Sequence, residues 1–232
     1  MKAIIQAGGL GTRLRPVTHE IPKPLITVKK KPILNYLIEL FVANGVDDIE
    51  IIINKDHEED YSWWKKRYRG ILPKIKIHLE AKPLGTFGGV KLLKKRFKED
   101  FILSNGDELK DFDLREMIKY HKSHKSQPVA TIALTQVANP STYGVPLMDG
   151  AHIKEFLEKP ENPPSDFVSS GIYVLSPEVF DFAPVDQESM MIEKDIFPKL
   201  AEARKLLGFK AKNYRWFPCD NIERWEAAIE HW

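Results

Sequence analysis

A single cysteine, Cys219, is all that the 232-residue sequence contains, so an internal disulfide cannot form and a Cys-rich zinc site is excluded. Long apolar runs are missing too: none approaches the roughly 18 residues of a membrane span. Met1-Lys2 leads directly into a short strand-like segment with no leader pattern, and the expected location is the cytoplasm. Charge of one sign is also lacking. With 35 Lys and Arg against 33 Asp and Glu, the chain has no basic excess of the kind a nucleic-acid surface needs. Neither nucleic acid nor a membrane is therefore expected as a partner. Internal repeats and low-complexity segments are absent as well. A hydrophobic fraction of 43% over this length can bury a full core, and one domain carrying a small lobe is expected over residues 1–232.

What the sequence does have is glycine at two strand ends. The first is Ala3-Ile4-Ile5-Gln6-Ala7-Gly8-Gly9-Leu10-Gly11-Thr12-Arg13-Leu14-Arg15-Pro16, an apolar run that breaks into glycines and arginines. It predicts a buried strand feeding a loop whose backbone N–H groups can approach an anion, with Thr12 and Arg13 as further donors. A nucleotide phosphate is the indicated ligand, and a plain glycine turn is the alternative. Leu14 stands where G-x-G-x-x-G would need glycine and where a P-loop would need lysine, so neither motif is present. Lys23 lies between Pro22 and Pro24, whose fixed φ predicts an extended backbone and an aimed ammonium. Ile33 to Asn44 has apolar residues at helical spacing and stops at Gly45, and Ile49 to Ile53 reads as a buried strand. Strand, loop, helix, strand is the signature of a parallel α/β sheet, which binds nucleotides at the carboxyl ends of its strands.

Asp56 to Gly70 sets Tyr61, Trp64 and Tyr68 at helical spacing among Lys65, Lys66, Arg67 and Arg69. An amphipathic helix with a solvated basic face is favoured there over a nucleic-acid stacking platform. Ile75 to Leu79 predicts a strand running into Glu80-Ala81-Lys82-Pro83-Leu84-Gly85-Thr86-Phe87-Gly88-Gly89, the second glycine-rich turn, which opens a helix through Phe97. Phe101 to Ser104 is a strand ending in Asn105-Gly106-Asp107. A carboxylate thrown off a strand end suits Mg²⁺, with turn closure or helix capping as the alternative. Asp113 to Lys125 predicts an amphipathic helix whose His121 and His124 read as solvated rather than metal-bound. Beyond it come a strand over Val129 to Val137, a hairpin from Tyr143 to Leu157 turning at Asp149-Gly150, and a surface loop at Glu161 to Ser165. The remainder predicts a strand at Ser169 to Leu175, a helix capped by Ser176, a largely helical stretch from Met190 to Leu207, a strand over Phe209 to Trp216, and a helix to Trp232.

Taken together, these residues resemble the sugar-1-phosphate nucleotidyltransferases, also called nucleotide-sugar pyrophosphorylases. The matching motifs stand in that family's order: Ala7-Gly8-Gly9-Leu10-Gly11-Thr12-Arg13-Leu14, Pro22-Lys23-Pro24, Leu84-Gly85-Thr86, Asn105-Gly106-Asp107, Tyr143-Gly144-Val145, Glu158-Lys159-Pro160, Gly171-Ile172-Tyr173 and Asp220. The resemblance implies an α/β, Rossmann-like fold with a mixed, mainly parallel sheet. Within it, a nucleotide-binding part would span about 1–110, a sugar-binding part about 111–220 and a C-terminal helix 221–232. It implies transfer of a nucleotidyl group from an NTP to a sugar 1-phosphate with release of pyrophosphate, and leaves homo-oligomerisation open. By the same resemblance, Arg13 and Lys23 would be catalytic, and Ala7, Gly8, Gly9, Gly11, Thr12, Arg13, Glu80, Pro83, Gly85 and Thr86 would bind the nucleotide. Gly144, Glu158, Lys159, Ser169 and Gly171 would bind the sugar phosphate. Asp107, shared with that site, would pair with Asp220 on Mg²⁺. The sequence departs from the family in Ser169, where asparagine is common, and in Cys219-Asp220-Asn221-Ile222, where many members read Asp-Ile-Gly-Thr. A left-handed β-helix, which some relatives append, is not expected.

Glu80 speaks to the base. A carboxylate only accepts hydrogen bonds, which suits the N1–H and N2–H₂ edge of guanine, although the amino group of cytosine also donates to it. With Pro83-Leu84-Gly85-Thr86, this stretch resembles the guanylyltransferases for mannose or heptose 1-phosphate, so GTP is the expected donor. The alternatives are uridylyl, thymidylyl or cytidylyl transfer on the same fold, to glucose 1-phosphate or a phosphocholine-like acceptor, and a non-catalytic nucleotide-sugar sensor.

Overall fold

The apolar run behind the first glycines forms the strand Lys2–Ala7, with Ala3, Ile4 and Ile5 fully buried. The computed structural model describes residues 1–70 and 73–232. It divides into two units, one built from Lys2–Pro83, Ser104–Phe112 and Tyr214–Trp232, the other mainly from Leu84–Leu103 and Asp113–Asn213. Neither is a continuous stretch of chain.

In the first unit, Lys2–Ala7 pairs in parallel with Asp48–Asn54, which pairs in parallel with Lys74–Glu80. The register sets Ala7 opposite Ile53 and Asn54 opposite Glu80, so three strands deliver their carboxyl ends to one edge. The helix Ile33–Ala43 buries Ile33, Leu34, Leu37, Ile38, Leu40 and Phe41, and ends at Asn44 before Gly45 as its apolar spacing predicts. The helix Glu58–Arg67 buries Tyr61 and Trp64, which settles those aromatics as packing residues. Trp64 donates its Nε1–H to Asn35 Oδ1 at 2.7 Å. A two-stranded ribbon, Glu108–Asp111 against Arg215–Pro218, completes this unit with the helix Ile222–His231.

In the second unit, Phe167–Leu175 pairs antiparallel with Ala130–Gln136, which pairs in parallel with Leu206–Lys210. The hairpin Gly144–Asp149 and His152–Glu158 joins that sheet through His152. The α/β class and the mixed sheet are therefore as expected.

Several local expectations give way. The helix beginning at Gly88 stops at Leu92 and continues only as a 3₁₀ turn, Lys94–Arg96. Pro177–Phe182 is 3₁₀ rather than α, and Ser176 makes no side-chain cap. Between Met190 and Leu207 lie a π-turn, Ile192–Ile196, and a six-residue helix, Phe197–Glu202, and the stretch ends inside the strand Leu206–Lys210. The expected strand over Phe209 to Trp216 is consequently two strands, Leu206–Lys210 and Arg215–Pro218. Lys23 begins a 3₁₀ turn, Lys23–Leu25, instead of an extended segment, because the φ that proline fixes serves both backbones.

His121 is not solvated. It is 3% exposed, its Nδ1 lies 2.8 Å from Thr131 Oγ1, and burial holds its pKa down at about 4 against an ordinary value near 6.5. Below pH 6.5 the unfolded chain takes up a proton that the folded chain refuses. Stability is then fully present above about 6.5 and declines as the pH falls toward 4, by on the order of 3 kcal/mol. Thermal melts of wild type and His121→Gln across that range should show a shallower decline in the variant. Parallel curves would remove His121 as the cause.

Candidate active site

The loop after Lys2–Ala7 is pinned at both ends. Tyr61 donates its hydroxyl to the Ala7 carbonyl at 3.4 Å, and Thr18 donates to the Gly11 carbonyl at 2.8 Å. Leu14, 1% exposed, anchors the far end in a cluster with Ile26, Val28, Ile33, Leu109, Cys219 and Ala228. Gly9, Thr12 and Arg13 are left on the surface between these anchors. A Cβ on Gly8 would stand 3.0 Å from Glu80 Oε2 and 3.4 Å from the Asn54 nitrogen, so the loop and the Glu80 carboxylate approach closely at this edge. Glu80 itself is 7% exposed, while Pro83, after its strand, is exposed.

Gly106 donates its N–H to the Gln6 carbonyl at 2.8 Å, which carries Asp107 to the end of the same strand. Asp107 is ion-paired to Lys23, which is 7% exposed. Burial pushes the Asp107 carboxyl upward, but Lys23 and Lys110 outweigh it and hold the group below the usual carboxylate range. Asp220 is held from two sides: Arg13 Nη1 lies 2.5 Å from Oδ2 and Arg224 Nη1 lies 2.7 Å from Oδ1. Lys110, fully buried, pairs with Glu108 at 2.8 Å, and Trp216 Nε1 donates to the same Glu108 oxygen at 3.1 Å. Burial raises the Glu108 carboxyl against the pull of Lys110. Cys219 stands among these charges but is buried, and burial drives its thiol up to about 12, so it remains protonated. The unusual Cys219-Asp220-Asn221-Ile222 stretch thus has a local division of labour. Cys219 packs, Asp220 pairs with arginines, and Asn221 Oδ1 caps the last helix by accepting from Arg224 N at 2.8 Å.

The second unit gathers the remaining candidates. Gly85 has φ +75°, and a Cβ there would lie 2.3 Å from the Met190 carbonyl oxygen. Thr86 donates to Glu193 Oε2 at 2.6 Å and accepts from Ile192 N at 2.9 Å, so its hydroxyl is engaged within the protein. Gly144 pairs in register with Glu158, and its missing Cβ makes room for the Phe156 ring and for Glu158 Oε2 at 3.2 Å. Lys159, with φ +53°, donates its N–H to the Tyr143 carbonyl at 3.0 Å and keeps an exposed side chain 3.5 Å from Glu158 Oε1. Gly171, φ +63°, lies in a bulge of the strand Phe167–Leu175 and directs its N–H to Ser169 Oγ at 3.4 Å.

Residues 2–226 match the family model described as Nucleotidyl transferase. The chain belongs to this family. Mannose-1-phosphate guanylyltransferase 1 of Arabidopsis thaliana is 37% identical over 212 residues, covering 89% of this chain and 58% of the relative. The mannose-1-phosphate guanyltransferase of Saccharomyces cerevisiae is 35% identical over 220 residues, covering 92% and 60%. The chain therefore spans somewhat under two thirds of these relatives' lengths. Among solved structures, one from Bacillus anthracis, titled a glucose-1-phosphate thymidylyltransferase in complex with a sucrose, superposes with TM-score 0.90 at 24% identity over 99% of this chain and 94% of that one. HddC from Yersinia pseudotuberculosis, complexed with GMP-PN, gives TM-score 0.80 at 26% identity over 99% and 98%. The fold of this nucleotidyl transferase is thus the Rossmann-like one expected.

Four charged residues of the first unit's cluster, Arg13, Lys23, Asp107 and Asp220, are those the sequence singled out; Glu108, Lys110 and Arg224 are not. Glu108 and Lys110 lie on a four-residue strand whose partner is more than 100 residues later, so no local periodicity announces them. Glu193, which stands in none of the motifs, accepts from both Thr86 and the Tyr173 hydroxyl, and Tyr173 belongs to the Gly171-Ile172-Tyr173 motif. Among the described residues no helix is long and apolar enough to cross a membrane.

Proposed function

We propose that this nucleotidyl transferase joins an NTP to a sugar 1-phosphate and releases pyrophosphate, with GTP and mannose 1-phosphate as the pair. The observation that carries the reading is the charge cluster at the carboxyl end of the strand Lys2–Ala7. There two ion pairs, Arg13 with Asp220 and Lys23 with Asp107, flank the glycine loop. The nucleotide is assigned to Gly8–Arg13, Glu80, Gly85 and Thr86, and the sugar phosphate to Gly144, Glu158, Lys159, Ser169 and Gly171. The names of relatives 35–38% identical support mannose 1-phosphate and guanine.

The acceptor supplies its own nucleophile. The second pKa of a phosphate monoester is near 6, so its oxygen is already anionic at neutral pH and no general base is required. An Asp107 held ionised by lysine, unable to take a proton readily, is consistent with that chemistry. Arg13 and Lys23 then neutralise charge as the acceptor oxygen bonds to the α-phosphorus and the bond to pyrophosphate breaks. Lys159 offers its exposed ammonium to the sugar phosphate. Asp107 and Asp220 fit Mg²⁺: they are hard oxygen donors, and the nearby thiol stays protonated. When bound, the cation would supply Lewis-acid neutralisation of phosphate oxygens.

Pyrophosphate release from a matrix of GTP, CTP, UTP and dTTP against a panel of sugar 1-phosphates with Mg²⁺ tests the reading. The highest rate is expected for GTP with mannose 1-phosphate, and no release with any pair would overturn the enzymatic assignment. Glu80→Gln should lose at least about tenfold in preference for GTP over UTP, the scale of one charge-assisted hydrogen bond. An unchanged preference would take Glu80 out of base recognition.

A further inference from the structure

Glu193 belongs to no motif that the family resemblance supplied, yet it is 8% exposed and its two carboxylate oxygens face different segments. Oε2 accepts from Thr86, in the turn assigned to the nucleotide, and Oε1 accepts from the Tyr173 hydroxyl at 3.3 Å, on the strand assigned to the sugar. The turn side is a multiple clasp. Met190 N donates to the Leu84 carbonyl at 3.0 Å, Phe87 N donates to the Met190 carbonyl at 3.0 Å, and Ile192 N donates to Thr86 Oγ1. Gly85 and Gly88 would each place a Cβ 2.3 Å from a carbonyl oxygen of the facing segment, at Met190 and Glu188, so the two backbones are in direct apposition. On the strand side, Ser169 Oγ lies 3.5 Å from the Tyr173 hydroxyl and accepts the Gly171 N–H, within the bulge between Ser169 and Tyr173. Glu193 is delivered to this place by the π-turn Ile192–Ile196, a geometry that recurs at functional sites because it displaces one residue out of the helical row.

We propose that Glu193 is a positioning residue that ties the nucleotide-reading turn Leu84–Gly88 to the sugar-reading strand Ser169–Tyr173, so that ordering of either segment orders the other. The inference rests on the functional reading above for its substrates, but the linkage is a property of the protein alone. Burial raises the Glu193 carboxyl, and the nearby Glu158 adds to the effect. Glutamine can still accept from Thr86 through its oxygen and donate from its nitrogen to the Tyr173 hydroxyl oxygen. Alanine can do neither.

The test uses the full chain with GTP and mannose 1-phosphate. Glu193→Ala is expected to raise KM for both substrates about tenfold with kcat within about threefold, and Glu193→Gln to restore both KM values to within about twofold. Hydrogen–deuterium exchange without substrates supplies the second readout: Glu193→Ala should accelerate exchange in both 84–88 and 169–173, and Glu193→Gln in neither. Faster exchange confined to one segment, or a KM effect on one substrate alone, would overturn the linkage. So would a failure of glutamine to rescue. Should wild type turn over no pair, the substrate assignment fails, and the exchange result alone decides whether Glu193 joins the two segments.

Discussion

Lys23→Ala is expected to lower the rate of pyrophosphate release by about 10²-fold or more, the scale of losing one preorganised charge contact in a transition state. Two effects act together. The ammonium that meets the reacting phosphates is gone, and Asp107 is left without the partner that holds it ionised. Asp107→Ala should produce a loss of the same size from the other side, since the freed Lys23 keeps its charge but loses its orientation. Stability should suffer less than activity. Breaking a fully buried ion pair costs about 3–5 kcal/mol, but the Asp107 side chain retains 32% exposure and water offsets part of the loss. Single-turnover rates at saturating substrate, set beside thermal melts, separate the two. Near-wild-type turnover in either variant would remove the pair from the chemistry.

Gly85→Ala should lower kcat/KM by about 10²-fold, because a misplacement near 1 Å at a substrate-positioning element is enough for that. The alanine must adopt φ +75° and push its Cβ away from a backbone oxygen 2.3 Å distant, and a carbonyl, unlike the far end of a flexible side chain, cannot swing aside. Gly150 provides the control. It has a comparable φ of +64°, in the hairpin turn, and a Cβ there would meet nothing within 4 Å. Gly150→Ala therefore bears the conformational strain alone, about 1–2 kcal/mol, and should leave kcat/KM unchanged. Equal effects of the two substitutions on kcat/KM would show that close approach at Gly85 is irrelevant.

The first unit was legible because its signals are local. A strand running into glycines, an apolar helix stopping at Gly45 and a βαβ spacing each need only a dozen residues to be read, and Lys23 and Asp107 stood out by their flanking prolines and glycine. What escaped depends on partners distant in sequence. Glu108–Asp111 becomes a strand only by pairing with Arg215–Pro218, and Leu206–Lys210 only by lying parallel to Ala130–Gln136. His121 is a different kind of miss. It falls seven residues after Leu114 and four after Met117, on the buried face of its helix, so the periodicity that located the helix already contained the answer. Its polarity argued for water, and the Thr131 hydroxyl took water's place. Glu193 was hidden by the π-turn, which breaks the 3.6-residue register that periodic reading assumes.

Cys219 has a practical consequence. The sole sulfhydryl in the chain is fully shielded and remains un-ionised far above neutral pH, so alkylating and maleimide reagents meet no native nucleophile of that type. The wild-type sequence is thereby a silent background for chemical labelling. A cysteine introduced at the exposed Ala81, ahead of the Leu84–Gly88 turn, or near the exposed Lys159 would be the single reactive handle, and fluorophores attached there could follow nucleotide and sugar-phosphate binding separately, without any prior removal of native thiols.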